Sequence, residues 1–567
     1  MTVHIRRYER VEPLPPLPVP PVLQRVYAHR QIRDPRELAW GLECLLSPLD
    51  LKGMDAAAEQ LAAAVVSQQP VVIVADYDAD GATSCALVWR ALVAMGHGSV
   101  DYLVPSRFAQ GYGLSAELVA LAAAKGGQLL LTVDNGIASL EGVAAAKAAG
   151  MTVVVSDHHL PGSELPLADA IVNPNQPECT FASKHLAGVG VAFYLMLAVR
   201  ARLRDRGWFK ARPEPNLAQW LDLVALGTVA DVVALDHNNR ILVAQGLRRI
   251  RAGRCVPGLG ALIQAAGRPQ AQLTAADLGY FIGPRLNAAG RMDDMSIGVE
   301  CLICDDPRAA QALAARLEQF NRARRAKEAQ MQAEANKVLE DLDLSGAMPA
   351  GLCLYDDTWH EGLIGLVASR IKDRAHRPVV AFAPDKDGLA KGSARSVAGL
   401  HIRDAIDAVA VRHPGMVAKY GGHAMAAGLT LARRQLEPFR RAFDAEVRRH
   451  LSDDDFCRVL WSDGPLAPEE LTLDIAQALR AAGPWGQGFP EPLFDGEFRV
   501  LRQQVLKDKH LKLTLSHPGG EGALDAIAFN HTDCPGERIH IAYRLDVNAF
   551  RGAVQLQLVV QHLEAVG

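Results

Sequence analysis

The sequence predicts an α/β protein built from a parallel-sheet lobe, a long connecting helix, a second α/β lobe and a small C-terminal β-barrel. Three observations support this. Apolar runs alternate with Ala-rich helical stretches from about residue 55 to 155. An uninterrupted helical pattern then spans residues 306–342, and the last hundred or so residues alternate between apolar and polar side chains. Each of these patterns is typical of one part of that fold.

The first lobe is predicted from strands that are apolar on both faces. The runs "VVIVAD", "LLLTVD" and "MTVVVSD" each follow or precede a helical stretch, as in a βαβ unit. Strands buried on both faces belong to a parallel sheet covered by helices. Such sheets bind ligands beyond the carboxyl ends of their strands, and here all three runs end in aspartate.

The remaining elements follow in order along the chain. Residues 306–342 open with Asp-Pro and contain no Gly or further Pro, which predicts a helix of about 30 residues. Residues 351–451 form a second mixed, glycine-containing segment. The runs "FRVLRQQVL", "LKLTLS" and "AVQLQLVVQHL" alternate like half-buried antiparallel strands, which favours a barrel.

Composition limits the classes of protein to consider. The chain has 567 residues, 49% of them hydrophobic, and a net charge of −4, so a polyanionic partner must meet a local basic patch. No apolar run approaches the ~20 residues needed to cross a bilayer, and a Pro-rich segment follows Arg6 and Arg7 where a secretory signal would be apolar. The sequence therefore predicts a cytoplasmic protein without a membrane segment. Nine cysteines fit a reducing compartment, and Cys301 and Cys304 are interpreted as buried thiols.

The stretch "ADYDADG" places Asp76, Asp78 and Asp80 at alternate positions. In an extended segment these carboxylates share one face and repel one another unless a cation lies between them. Helix capping or turn chemistry would account for one aspartate but poorly for three. A helix-loop-helix calcium site is excluded because Leu87 occupies the twelfth position, where that site needs glutamate.

The stretch "VVVSDHHLPG" supplies a second cluster, which includes His158 and His159. Adjacent residues at a strand end point in opposite directions, so we expect one histidine to bind metal and the other to face substrate or support the site. Asp231, in "TVADVV", would by itself be explained equally well as a helix cap. Carboxylates together with imidazole suit Mg²⁺ or Mn²⁺.

In order, "DYDADG", "VDNG", "DHH" and "TVADVV" resemble motifs I to IV of the DHH phosphoesterase superfamily. The resemblance extends over nearly the whole chain to the bacterial single-strand-specific exonucleases of that superfamily. The segments that carry it are "PSRFAQGYGLS", "GPRLNAAGRMDD", "WHEGLIGLVASR", "GSARS", "GGHAMAAG" and "FPEPLFDGEF".

This resemblance implies a DHH lobe, a linking helix, a DHHA1 lobe and an OB-type barrel that binds nucleic acid. The expected bounds are an N-terminal extension at 1–54, DHH at 55–240, a helical connector at 241–345, DHHA1 at 346–455 and the OB-fold at 456–567. It also implies 5′→3′ hydrolysis of single-stranded DNA to 5′-mononucleotides, in DNA repair and recombination. Two Mg²⁺ or Mn²⁺ ions would activate water without a nucleophilic Ser or Cys.

The resemblance also nominates site residues. The expected metal ligands are Asp76, Asp78, Asp80, Asp134, His158 and Asp231, with Asp134 bridging the ions and with Asp76 or His159 lying either in direct contact or just behind. The expected catalytic residues are Asp134, His158, His159 and His423. The expected DNA contacts are Arg107, Tyr112, Arg285, Asn287, Arg291, Ser393 and Arg395. Arg285 and Arg291 flank "LNAAG", which the Gly-Pro pair before it suggests is a phosphate-binding loop.

Two other functions remain open at this point. One is a DHH-family phosphodiesterase acting on short oligonucleotides or cyclic dinucleotides, which would not need the barrel. The other is a nucleic-acid-binding protein without catalysis, which the complete set of carboxylates and histidines argues against. The resemblance further implies a monomer that binds single-stranded DNA. It also implies two protein partners, a single-stranded-DNA-binding protein and a RecQ-type helicase. Arg395 has an alternative role as an ion-pair residue between the lobes.

Overall fold

The N-terminal part of the chain leads into the first lobe. The computed structural model describes residues 3–9, 17–106, 113–340, 348–520, 522–550 and 553–566. Its first elements are the strand β1 (Val3–Arg7) and the helices α1 (Pro21–His29) and α2 (Met54–Ser67). Both helices contribute side chains to the core that the first lobe shares with the C-terminal part, and the Tyr27 hydroxyl of α1 donates to the Ala482 carbonyl at 3.1 Å.

Five parallel strands form the sheet of the first lobe, in the order β3-β2-β4-β5-β6. The elements are β2 (Val71–Ala75), α3 (Ala79–Ala94), β3 (Val100–Leu103), α4 (Ala116–Ala124), β4 (Leu129–Val133), α5 (Leu140–Ala148), β5 (Thr152–Ser156) and β6 (Ala170–Val172). Every residue of β2 and β4 is buried. Because β2, β4 and β5 are neighbours, the residues that follow them meet at one edge of the sheet.

Helices then cover the sheet and lead out of the lobe. They are α6 (Gly188–Asp205), α7 (Leu221–Ala230), α8 (His237–Arg251), α9 (Pro257–Ala265), α10 (Ala275–Asp277), α11 (Gly283–Met292), α12 (Ser296–Ile303) and α13 (Pro307–Glu340). The long helix predicted from the sequence is confirmed as α13, with 34 residues.

The prediction of a loop around Arg285 and Arg291 is wrong. Both residues lie on α11, which is joined to α10 by a π-helical turn, Leu278–Ile282. Gly283 and Pro284 are the first residues of α11, directly after the π-helical turn, and the fixed φ of proline is compatible with a helix at this position. The Gly-Pro pair therefore marks the beginning of a helical turn here and does not mark a loop.

The second lobe has a mixed sheet in the order β10-β11-β9-β8-β7. Its elements are β7 (Leu352–Tyr355), α14 (Glu361–Ala375), β8 (Val379–Pro384), β9 (Leu389–Arg395), α15 (Ile402–Arg412), β10 (Lys419–His423), β11 (Ala426–Ala432) and α16 (Leu436–His450). Helices on its two faces close two separate apolar cores. Met331 of α13 packs against one of these cores, so the long helix contacts both lobes.

The C-terminal part is a closed barrel in the strand order β13-β14-β15-β17-β16. The elements are β12 (Arg458–Ser462), α17 (Leu473–Ala481), β13 (Phe494–Leu506), β14 (His510–Ser516), β15 (Ala523–Phe529), β16 (Arg538–Phe550) and β17 (Ala553–Ala565). The barrel shares a core with the first lobe. The Leu235 N–H donates to the Gln487 carbonyl at 2.7 Å, and the Arg240 guanidinium lies 4.3 Å from the Phe489 ring centroid.

The N-terminal strand β1 runs parallel to β12 and pairs with it from Val3 to Arg7. The Arg7 guanidinium is 2.7 Å from the buried Asp495 carboxylate on β13. His29 and Arg30 both contact the fully buried Asp463, at 2.8 and 2.6 Å. The beginning of the chain thus ties the barrel to the first lobe.

The predicted fold class is confirmed in all its parts: parallel-sheet lobe, long helix, second α/β lobe and barrel. All nine cysteines are free thiols, with Cys301 buried and Cys304 partly exposed. Within the part of the chain that the structure describes, no helix combines the length and the apolar character needed to cross a bilayer.

Candidate metal centre

Residues that follow three neighbouring strands converge at the edge of the first sheet. Asp76 follows β2, Asp134 follows β4, and His158 and His159 lie shortly after β5. Asp231, the C-cap of α7, joins them from the helical layer. The side chains form three overlapping groups. Within each group, the ligand atoms all lie within 4.8 Å of one another. The groups are Asp76, Asp78 and Asp134; Asp80, His158 and Asp231; and Asp134, His158 and His159.

The His158 imidazole lies at the centre of this cluster. Its Nε2 is 3.1 Å from Asp134 Oδ1, 3.5 Å from Asp231 Oδ2 and 4.0 Å from Asp80 Oδ2. One nitrogen that faces three carboxylates can take part in a shared cation site together with them.

The N-terminus of α6 holds the Asp80 carboxylate. The backbone N–H groups of Gly188 and Val189 donate to its two oxygens at 2.6 and 3.0 Å. These donors are unpaired at a helix start, and the helix dipole favours negative charge there. A Cβ at Gly188 would lie 2.6 Å from the Asp134 carboxylate oxygen Oδ1, so only glycine allows α6 to approach this closely.

The loop between β2 and α3 is fixed from two sides. Asp78 is the N-cap of α3, and its Oδ1 accepts from the Gly81 N–H at 2.9 Å. From α11, the Asn287 side-chain carbonyl accepts from the Ala79 N–H at 2.7 Å. Also on α11, a Cβ at Gly290 would lie 2.1 Å from the Tyr77 carbonyl. Helix α11 therefore packs directly against the loop that carries Asp76, Asp78 and Asp80.

Asp134 has a left-handed backbone, with a φ of 62°. Such a conformation costs energy for a non-glycine residue and persists where the surroundings hold it in place. The next residue provides part of that support, because the Asn135 amide donates to the carbonyls of Val74 and Val133 at 3.0 and 2.9 Å. Asn135 thereby joins the ends of β2 and β4 immediately beside Asp134.

His158 and His159 have different surroundings, as predicted, but the expectation that they point in opposite directions is wrong. Their ring centroids are 4.4 Å apart, because β5 ends at Ser156 and strand alternation does not extend to them. His159 Nδ1 is 2.8 Å from Asp157 Oδ1. Asp157 is itself buried and also accepts from the Ile137 N–H at 2.9 Å, so it orients His159 from behind.

The electrostatics of the cluster favour a cation. Burial and then the charge of Asp78 raise the pKa of Asp76 and of Asp80 to about 7 each. Burial and the neighbouring carboxylates raise the pKa of Asp231 to about 9 and that of Asp134 well above its ordinary value. Positive charge between these carboxylates would relieve their repulsion and lower their pKa values.

The histidine pKa values separate in opposite directions. Burial lowers the pKa of His158 to about 4, so this imidazole is neutral, as a metal ligand must be. Burial also acts against a charged His159, but the hydrogen bond and charge of Asp157 outweigh it and raise the His159 pKa to about 9.

The donor set fits Mg²⁺ or Mn²⁺. It consists of carboxylate oxygens and neutral imidazole, and the imidazole suits Mn²⁺ better than Mg²⁺. Asp76 Oδ1 is fully buried and has no hydrogen-bond partner among the described residues, although a buried carboxylate oxygen normally has one. A cation bound there would satisfy this oxygen.

The predicted DNA contacts lie on different elements. Arg285 is buried on α11, where its Nε is 2.7 Å from Glu318 of α13 and its Nη1 donates to the Phe281 carbonyl. Arg291 is exposed at the end of α11. Asn287 contacts the loop of the metal cluster through Ala79, as described above. Arg107 and Tyr112 lie outside the described residues.

Ser393 and Arg395 lie two residues apart on β9. The Arg395 Nη1 donates to Ser393 Oγ at 3.0 Å and to the Ala394 carbonyl at 2.8 Å. Its guanidinium is half-buried, and burial alone lowers its pKa, since none of the described carboxylates lies within 4.0 Å. No ion pair with the other lobe is therefore found among the described residues. His423 is exposed at the end of β10, in the same sheet.

The comparisons with known proteins cover the whole chain. The sequence matches the N-terminal domain of the DHH family over residues 70–228, the DHHA1 domain over 349–449 and the RecJ OB domain over 462–562. It is 53% identical over 571 aligned residues to the single-stranded-DNA-specific exonuclease RecJ of Dickeya dadantii, with 99% of each chain covered. The chain belongs to the RecJ family.

Solved RecJ structures have the same fold. RecJ from Thermus thermophilus in complex with Mn²⁺ is 30% identical, with a TM-score of 0.79. The match covers 100% of this chain and 80% of the Thermus chain. Its complex with Mg²⁺ is 28% identical, with a TM-score of 0.73, and this match covers 100% of this chain and 79% of the Thermus chain. The predicted family of metal-dependent nucleases is confirmed, and the predicted choice of Mg²⁺ or Mn²⁺ agrees with these two RecJ complexes.

The sequence did not point to two features of the site. Asp157 was visible in the "DHH" motif, but its role behind His159 depends on where β5 ends. The N–H groups of Gly188 and Val189 bind Asp80, which lies more than a hundred residues away along the chain. The only sequence signal for this contact is the small-residue stretch "GVGVA" at a helix start, and such stretches are common.

Proposed function

We propose that this protein hydrolyses single-stranded DNA from the 5′ end, releases 5′-mononucleotides, and uses two divalent cations, Mg²⁺ or Mn²⁺. The observation that carries the proposal is the convergence of carboxylates and His158 beyond β2, β4 and β5, in a chain of the RecJ family. The barrel favours long strands over the alternative of short oligonucleotides or cyclic dinucleotides as substrates, since a compact phosphodiesterase would not need it.

The three groups of side chains suggest how the ligands divide. Asp76, Asp78 and Asp134 would hold one cation, and Asp80, His158 and Asp231 the other. Asp134 also belongs to the group that contains His158, so it is the residue we assign to both ions. When bound, such ions would lower the pKa of a water molecule and stabilise negative charge on the leaving oxygen.

The protein's own groups would orient the substrate. His159, held by Asp157, would either bind a cation or donate a hydrogen bond to a phosphate oxygen, as its raised pKa allows. Burial of the cluster keeps bulk water away from the carboxylates, which strengthens every electrostatic interaction there. No Ser or Cys is required as a nucleophile.

Ser393 and Arg395 would form the pocket for the 5′-terminal phosphate. A hydroxyl and a guanidinium fork suit a terminal phosphate group, and Arg395 has no acidic partner among the described residues that would compete for it. His423 would contribute to the same end of the sheet. Arg107, Tyr112, Arg285, Asn287 and Arg291 remain predicted DNA contacts.

The finer expectations belong to this proposal as well. The domain bounds are those given above, the protein is a monomer, and its partners include a single-stranded-DNA-binding protein and a RecQ-type helicase. The named relatives come from bacteria and act on DNA by name, which supports a cytoplasmic location in such a cell.

The proposal is tested by digestion of end-labelled single- and double-stranded DNA with Mg²⁺ or Mn²⁺. We expect mononucleotides from the 5′ end of single strands, and little release from blunt duplexes. Asp134→Asn should abolish hydrolysis without disturbing the backbone, because Asn also tolerates the left-handed conformation. Asp474→Asn, at an exposed position on α17, is the matched control and should digest normally. Activity of Asp134→Asn at saturating Mn²⁺ would refute the two-metal assignment.

A further inference from the structure

An exposed tyrosine stands on the π-helical turn between α10 and α11. Tyr280 is 74% exposed, and its side chain takes part in no hydrogen bond, ion pair or ring contact among the described residues. Its neighbour Phe281 is covered by the Arg268 guanidinium, 3.5 Å from its ring centroid. A π turn inserts one extra residue into a helix and redirects side chains, and such turns are frequent at functional sites. The core of the protein does not use the Tyr280 ring.

This turn lies directly against the residues that precede Asp231. A Cβ at Gly279 would lie 3.2 Å from Val229 Cγ1, and one at Gly283 would lie 3.0 Å from the Ala230 Cβ. Glycine on each side of Tyr280 therefore allows the turn to approach the end of α7. Because Asp231 is the C-cap of α7, the turn that carries the exposed Tyr280 lies next to a residue of the metal cluster.

The residue after Asp231 is also apolar and exposed. Val232 is 66% exposed and has a φ of 61°, a conformation that β-branched residues rarely adopt. A glycine or asparagine would fit this backbone at lower cost, so folding alone does not explain a valine here.

The chain then runs from Val232 to the barrel. The Leu235 N–H donates to the Gln487 carbonyl, and a Cβ at Gly488 would lie 3.1 Å from the Ala234 Cβ. Residues 231–235 thus connect the metal cluster to the segment that leads into the barrel, with Val232 exposed and Leu235 buried. A strand that spans both would follow this stretch, next to the turn that carries Tyr280.

We propose that Tyr280 and Val232 form a nucleobase platform on which one base of the single strand stacks between the metal cluster and the barrel. The platform rests on the proposed function, since it serves the same substrate. Stacking on an aromatic ring needs no particular base, so the platform would hold the strand without reading its sequence. The ring matters and the hydroxyl does not, because the Tyr280 hydroxyl has no partner among the described residues.

The test measures binding of a single strand in the Asp134→Asn background, where hydrolysis is blocked. We expect Tyr280→Ala to raise the Kd by about fivefold or more, and Tyr280→Phe to retain the affinity. Val411→Ala, a change at an exposed apolar residue on α15, is the matched control and should leave the Kd unchanged. Val232→Gly should weaken binding while raising the melting temperature, because glycine removes the backbone strain.

A second readout locates the stacked base. A strand carrying one 2-aminopurine, moved along the sequence, should show quenching at one position in the parent and in Tyr280→Phe, and lose that quenching in Tyr280→Ala. Equal Kd and quenching in the parent and Tyr280→Ala would overturn the platform. If the protein binds single strands but the unsubstituted protein, with Asp134 intact, does not degrade them, the proposed function is wrong. The quenching experiment still tests whether Tyr280 stacks on a base. A protein that binds no single strand would overturn both.

Discussion

Arg395 and His423 lie in one row across the sheet of the second lobe, with Ala426 between them. Ala426 of β11 pairs with His423 of β10 on one side and with Arg395 of β9 on the other. Neighbouring strands are about 4.8 Å apart, so the two backbones are separated by roughly 10 Å. This is a span that one terminal phosphate and its sugar can bridge, which connects two residues predicted separately from the sequence.

The row leads to a prediction for Arg395. Arg395→Ala should raise the KM strongly for single strands with a 5′-phosphate and remove their advantage over 5′-hydroxyl strands, while kcat changes less. Arg395→Lys should restore only part of this preference, because a point charge does not reproduce a bidentate fork. Kinetics on both substrates, with a melting curve for each variant, provide the measurement. An unchanged preference for the 5′-phosphate would exclude the end-pocket assignment.

A second prediction concerns the close approach of α6 to the metal cluster. Gly188→Ala places a methyl group 2.6 Å from the Asp134 carboxylate oxygen Oδ1, so the ligand or the helix must move. A shift of about 1 Å at a reacting centre can cost 100-fold in rate, and we expect activity to fall by that order. Gly190→Ala, on the same helix, meets only the Leu186 side chain at 3.0 Å and should remain active. Equal activity of the two variants would show that the helix does not position the cluster.

Asp157 should act through His159. Asp157→Asn removes the charge that fixes the His159 ring, and outer residues of this kind are worth about 10- to 100-fold in metal affinity or activity. We therefore expect the Mn²⁺ dependence of hydrolysis to shift to higher concentration, with Asp474→Asn again as the control. A variant with normal Mn²⁺ dependence and a lowered melting temperature would indicate a structural role only.

A substitution at Arg285 can separate two possible roles of this residue, a structural ion pair and a contact with DNA phosphate. Its ion pair with Glu318 joins α11 to α13, and breaking a buried pair costs up to about 3–5 kcal/mol, less here because Arg322 also contacts Glu318. Arg285→Gln should lower the free energy of unfolding, and an unchanged KM for the folded protein would assign this residue a structural role alone. Arg291→Gln, on the same helix but exposed, should not destabilise the protein. If Arg285→Gln instead raises KM at unchanged stability, the predicted phosphate contact is supported.

The contact between the N-terminal strand and the barrel should depend on pH. Although burial opposes it, hydrogen bonds from His540, Arg7 and Ser462 hold the pKa of Asp495 well below its usual range, and the bond to Asp495 raises the pKa of His540. The contribution of Asp495 is present above its unfolded pKa of about 3.9 and is lost as pH falls through its lower folded value. That of His540 is complete below about pH 6.5 and is lost as pH rises through its raised folded value.

Both contributions are therefore present between about pH 4 and pH 6.5. The melting temperature should fall from about pH 6 to pH 9, and Asp495→Asn should flatten this dependence. His413→Gln, which changes an exposed histidine on the second lobe, is the control and should leave the slope as it is. The same slope in Asp495→Asn would show that the pair does not contribute.

The sequence predicted those parts of the fold and of the site that depend on local patterns of residues. Alternating apolar runs identified the parallel strands, and aspartates at their ends located Asp76, Asp134 and the cluster near His158, because neighbouring parallel strands bring their ends together. Long-range contacts were beyond such reasoning. Arg7 and Asp495 are 488 residues apart, and only the folded chain shows that they meet. Gly283 and Pro284 misled the prediction because the same pair begins helices and makes turns.

The pairing of β1 with β12 has a consequence for synthesis on the ribosome. Val3 meets Arg458, so the first strand has no partner until the chain has grown by 455 residues. At about 5 to 20 residues per second, this interval lasts roughly 20 to 90 s. During that time the first lobe can complete its sheet, while the segment that will join it to the barrel stays undocked. Because β12 precedes the five barrel strands in the chain, β1 can pair with it while those strands are still being made. A chaperone that holds residues 3–7 would delay this pairing without delaying the metal centre.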